Sequence, residues 1–183
     1  MLLIYDPLTN SSTGVPTSYH ATGPFKWLCA IAFQGILYAL PCHADCILIF
    51  DPFTSRVSHV DTTAVAVGPG KWIAAVACGG KIYGIPDHAG SVLVFDPQSQ
   101  EVSGIDVSHL SDATGKWQSA AVLGGKIYAV PYNAPLGSLG RSRSEPQERG
   151  MTSWWWIPSR PQPALWTCAA WARLRASGAS VAW

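Results

Sequence analysis

Ser91-Val92-Leu93-Val94-Phe95 is an apolar run of strand length that closes on Asp96-Pro97, and Ile47 to Phe50 closes in the same way on Asp51-Pro52. Ile36 to Leu40 is a third run without polar alternation. Short, continuously apolar segments bounded by turn residues predict strands covered on both faces. Around Ser91 to Phe95 the pattern completes a unit of four short strands. Trp72 to Ala77 comes first, and Lys81 to Ile85 follows the turn residues Gly79-Gly80. Ser91 to Phe95 is the third strand, and the weaker Glu101 to Asp106 is the fourth.

The unit recurs with a period of 45 residues. Asp6, Asp51 and Asp96, each followed by Pro, keep that spacing, as do Trp27, Trp72 and Trp117 and then Tyr38, Tyr83 and Tyr128. Pro41, Pro86 and Pro131 keep it too, and Gly70 to Pro86 matches Gly115 to Pro131 at ten of seventeen positions. These anchors have mechanical roles. Pro at the second position of a type I turn sets φ, and the preceding Asp accepts a hydrogen bond from the backbone two residues on. The Pro residues at 41, 86 and 131 end second strands, since Pro donates no ladder hydrogen bond. Each Trp is expected to act as a wedge between blades, its apolar face buried and its indole N–H bonded to a loop carbonyl.

Four antiparallel strands per repeat of this length define a β-propeller blade, stable only when neighbouring blades cover its two faces. Gly80-Lys81-Ile82-Tyr83 followed by Ser91-Val92-Leu93-Val94-Phe95-Asp96-Pro97 resembles the kelch-type repeat, in which a Gly-Lys-Ile-Tyr strand precedes a strand closing on Tyr-Asp-Pro. The resemblance runs from Met1 to about Asn133. It departs from the family in having Pro86-Asp87-His88 where a Gly-Gly pair usually follows the second strand, and Val57 and Val102 where a Trp usually follows Asp-Pro. The fold expected is all-β, a partial β-propeller of about three repeats. The chain divides into a half blade over 1–26, blades over 27–71 and 72–116, a half blade over 117–133 and an irregular tail over 134–183. The two halves can complete one blade, but that closes only three, against the four to eight of known propellers, so an open arc is expected. Its exposed faces and strand edges invite self-association and leave the isolated chain marginally stable.

Composition changes the picture at one end. The chain of 183 residues carries 12 Lys plus Arg against 11 Asp plus Glu, a net charge of +1, which argues for neither a nucleic-acid nor a membrane partner. No apolar run approaches a membrane span, and Met1-Leu2-Leu3-Ile4-Tyr5 meets Asp6 too soon for a signal peptide, so a soluble, cytoplasmic protein is expected. All five Lys precede residue 134, whereas six of the nine Trp and six of the seven Arg follow Asn133. The switch points to a changed reading frame or a retained non-coding stretch, with a genuine Trp-rich, basic interaction tail as the alternative.

Candidate chemistry is sparse. Cys42-His43-Ala44-Asp45-Cys46 is the most metal-like stretch, but no second pair supplies the remaining ligands, and the odd count of five Cys fits free thiols in a reducing compartment. No metal and no cofactor are expected. His43, His88 and Asn133 share one repeat position, two residues after the strand-ending Pro, and loops at equivalent positions converge on one end of a propeller. They are the candidate binding residues, and the competing reading has each capping its own turn. His20, His59 and His109 have no equivalents in the repeat. Lys26-Trp27, Lys71-Trp72 and Lys116-Trp117 lack the basic stripe that phosphate binding requires. No nucleophile elbow occurs, and Asp recurring in every copy reads as turn chemistry, so no enzyme activity is expected. The resemblance implies a protein-interaction module binding another protein through loops at one end of the blades. The alternatives are a fragment of a larger propeller protein with no independent function and, behind it, a propeller enzyme domain.

Overall fold

The structure, a computed structural model, describes residues 1–134. The rest of the segment expected to be irregular lies outside the described residues. Twelve strands and no helix make up the described chain. They are β1 (Leu2–Asp6), β2 (Ser11–Val15), β3 (Trp27–Phe33), β4 (Ile36–Pro41), β5 (Cys46–Asp51), β6 (Arg56–Asp61), β7 (Trp72–Cys78), β8 (Lys81–Pro86), β9 (Ser91–Phe95), β10 (Val102–Asp106), β11 (Trp117–Leu123) and β12 (Lys126–Pro131). All pairing is antiparallel between sequence neighbours, in sheets of two, four, four and two strands. The protein is thus an all-β, partial propeller. Blade 1 is β3 to β6 and blade 2 is β7 to β10. An outer pair, β1–β2, precedes them, and an inner pair, β11–β12, follows.

Local chemistry explains the strands. Each third-to-fourth-strand reversal is built as its Asp-Pro dipeptide requires: the N–H groups of Leu8, Phe53 and Gln98 donate to Oδ1 of Asp6, Asp51 and Asp96 at 2.8, 2.8 and 2.9 Å. These bonds hold the carboxyls of Asp6 and Asp96 below their ordinary range, with the Thr9 hydroxyl helping at Asp6, while at Asp51 the Thr54 hydroxyl is the larger cause and the Phe53 N–H the second. The fourth strand of blade 2 starts at Val102 rather than Glu101, although the N–H of Asp96 still donates to the carbonyl of Glu101 at 3.0 Å. Every first strand slips register by one residue just after its Trp, between 27 and 29, 72 and 74, and 117 and 119. This bulge is the same device in three copies.

The core lies between blades 1 and 2. Tyr38, Leu40, Ile47 and Ile49 from blade 1 meet Trp72, Ile82, Leu93 and Phe95 from blade 2, and six of these eight are wholly inaccessible. β5 is buried along nearly its whole length, as its unalternated sequence predicts. Trp72 sits at the centre, and its indole N–H donates to the carbonyl of Ser91 at 2.9 Å, as that of Trp27 does to Cys46 at 2.8 Å. The acceptor is the first residue of the third strand in the same blade rather than a loop carbonyl. The Trp therefore ties its blade's first strand to its third while filling the gap to the preceding blade.

A backbone relay joins the blades. The Lys71 N–H donates to the carbonyl of Cys42 and the Lys116 N–H to that of Asp87, crossing to the preceding blade each time. Within each unit the next link returns, from Cys42, Asp87 and Tyr132 N–H to the carbonyls of Lys26, Lys71 and Lys116. The path Lys26, Cys42, Lys71, Asp87, Lys116, Tyr132 is continuous.

Candidate functional site

The relay runs along one end of the sheets, where second strands end and first strands begin, and the candidate residues His43, His88 and Asn133 are exposed beside it. Their backbones are bound to it: His43, His88 and Asn133 N–H donate to the carbonyls of Phe25, Gly70 and Gly115 at 3.0, 2.8 and 2.9 Å. Those three acceptors are all left-handed, at φ 51°, 68° and 66°. The His88 ring lies over Gly70 so closely that a Cβ there would collide with Nδ1. Phe25 occupies the same place in the first copy, and His43 packs edge-on against its ring instead, with centroids 5.5 Å apart. Asn133 Nδ2 donates to the carbonyl of Thr114 at 3.2 Å. The three side chains thus lean on the loop entering the first strand, not on their own turns.

Only two of the three share a space. His88 and Asn133 line a cavity of about 340 Å³ with Asp87, Trp117, Gln118 and Tyr132, whereas His43 lies one unit away and packs against Phe25. His88 Nε2 stands 3.8 Å from Asp87 Oδ2. With one Asn133 N–H committed to Thr114, the cavity still presents the amide oxygen, an imidazole, a carboxylate and the Gln118 amide beside two aromatic rings. That mixture of donors, acceptors and flat apolar surface suits peptide recognition.

The repeated Lys residues are buried at this end rather than displayed. Lys71 and Lys116 are 1% and 2% exposed, and their Nζ atoms donate to the carbonyls of Gly68 and Ala113. Burial pushes both ammonium groups below their ordinary values, opposed by the carboxylates of Asp45 and Asp87 respectively. Lys71 reaches Asp45 at 3.7 Å. Cys42 and Cys46 are likewise buried, and desolvation raises both thiols, with Cys29 pushed up to about 12. Among the described residues no group of three or more His, Cys, Asp or Glu stands in metal-binding geometry.

One contact had no signal in the repeat. His20 and His59 meet ring to ring across the join between the outer pair and blade 1, Nδ1 to Nδ1 at 2.9 Å, one ring donating and the other accepting. The corresponding residues one unit on are Val65 and Gly104, which also touch. Burial and then the neighbouring His59 push His20 below its ordinary value. No protein-family model matches the chain, and no curated protein matches it.

Proposed function

We propose that the protein is an interaction module whose kelch-like blades bind an extended segment of another protein at the rim carrying His88 and Asn133. The observation that carries this reading is the cavity those residues share with Asp87, Trp117, Gln118 and Tyr132, set at the loop end of the blades. Its rigid support is the backbone relay beneath it, and a preorganised surface binds at lower entropic cost. Catalysis is not part of the proposal. The described thiols are free, which suits a reducing compartment such as the cytoplasm. The test is affinity purification from the native source with the full chain and with a His88→Ala, Asn133→Ala variant of equal thermal stability. The reading expects a defined set of proteins to be lost from the variant; identical sets, or none, contradict it.

A further inference from the structure

The two ends of the arc are complementary halves of one blade. Among the described residues, β1–β2 matches a third and fourth strand with no first and second paired to it, and β11–β12 matches a first and second strand with no third and fourth paired to it. β1 pairs only with β2, and β12 only with β11, among the described residues. Among the described residues β1 and β12 do not pair with each other.

Each end also carries the gap the other would fill. Beside β11–β12 lies an apolar cavity of about 370 Å³ lined by Tyr83, Ile85, Val92, Leu110 and Trp117. One repeat earlier, the matching residues are Tyr38, Leu40, Ile47, Val65 and Trp72, all part of or packed against the blade 1–blade 2 core. There the space is filled by Leu93 and Phe95, both 0% exposed. Two repeats back from these stand Leu3 and Tyr5, which are 72% and 57% exposed. At the other end, a cavity of about 510 Å³ between β1 and blade 1 is lined by Leu2, Cys29 and Leu48. Among the described residues no inner strand pair stands there. The residues of β12 that would enter it are Tyr128 and Val130, 52% and 53% exposed, whereas their counterparts Tyr38 and Leu40 in blade 1 are 6% and 0% exposed.

We infer that two copies of this chain join end to end, β12 of each pairing with β1 of the other, to close a ring of six four-stranded blades. Each copy contributes two whole blades and two halves, so the twofold assembly has two composite blades and no open sheet end. Six is within the range of closed propellers. The register follows from Ile82↔Phe95, Tyr83↔Val94 and Gly84↔Leu93. It places Ile127 opposite Tyr5, Tyr128 opposite Ile4 and Ala129 opposite Leu3 of the second copy. Trp117 then finds the carbonyl of Met1 in the second copy, as Trp72 finds Ser91. The relay continues from the Lys26 N–H to the carbonyl of Tyr132 in the second copy. This assembly stands whether or not the rim binds another protein.

The experiment is light scattering on the full chain together with disulfide trapping. The ring expects a single species of twice the 19.6 kDa chain mass. A monomer, or open-ended polymers growing with concentration, overturns it. For trapping, one chain carries Leu3→Cys and another Ala129→Cys. Opposed antiparallel residues have Cα atoms about 4.5–5.5 Å apart, within disulfide reach. Under mild oxidation a covalent dimer is expected from the mixture at least about tenfold above either chain alone. Equal yields, or a bond formed only within a doubly substituted chain, contradict the proposed pairing.

Discussion

The backbone N–H of Lys71 donates to the carbonyl of Cys42 at 3.0 Å, and the N–H of Asp87 donates to the carbonyl of Lys71 at 2.9 Å. One residue thus fastens blade 2 both to its own second strand and to blade 1. The Lys71 side chain is buried beside the same junction, and the His88 N–H is bonded to the carbonyl of Gly70, the residue before Lys71.

Trp72 is the centre of the inter-blade core, and its removal is the severest single change. Trp72→Ala is expected to cost about 3–5 kcal/mol, by the loss of transfer energy and the cavity left behind. Trp27 is only half-buried, so Trp27→Ala costs distinctly less. Urea midpoints of the two variants check the order; equal losses would mean that Trp72 is no wedge.

Gly70 is left-handed and covered by His88. Gly70→Ala is expected to lose about 1–2 kcal/mol from backbone strain alone, with a further loss from the clash with the imidazole. A His88→Ala change in the same chain should restore the clash component and leave the strain. Thermal melts of the single and double variants measure the difference, and no recovery would place the ring elsewhere.

His20 and His59 make one joint of the arc sensitive to pH. The folded value of His20 is lowered from 6.5, so the folded state binds fewer protons than the unfolded chain. Stability from this contact is present above pH 6.5 and is lost as pH falls through the lowered value. His20→Val, which copies Val65, is expected to flatten that decline. Denaturation midpoints between about pH 5 and 8 decide it; an unchanged slope in the variant rules the contact out as its source.

The buried thiols should be inert. Desolvation raises Cys29, Cys42 and Cys46, so the reactive thiolate is scarce at neutral pH, whereas Cys78 lies half-exposed. Among the four cysteines of the described residues, alkylation followed by peptide mapping should modify Cys78 first and the other three only on unfolding. Early modification of Cys42 would show that the relay opens readily.

Much of this fold was legible in the sequence, and the reasons are local. Asp-Pro turns, Pro strand ends and apolar runs act over a few residues, so the period of 45 placed the strands to within a residue or two. Asp6, Asp51 and Asp96 accept the bonds their turns demand. The relay was not legible, because it is made of backbone groups of Cys42, Asp87 and Tyr132, whose side chains share no chemistry. Nor was the burial of Lys71 and Lys116, since nothing about a Lys beside a Trp announces a carbonyl waiting three residues back. The period also grouped His43 with His88 and Asn133, but the shared cavity lies between the second and third units, and His43 packs on Phe25 where later copies have Gly. His20 and His59 were invisible because the contact replaces a Val–Gly pair and so breaks the pattern that sequence reading relies on.

The central claim is that a blade here is stable only when covered on both faces, and that the two incomplete ends cover each other. Hydrogen exchange of the full chain, followed strand by strand over a range of concentration, tests it most directly. The slowest amides should lie in β4, β5, β8 and β9, and protection of β1 and β12 should rise with concentration while that of the central blades stays constant. Fast exchange throughout, or protection of β1 and β12 indifferent to concentration, would contradict the account.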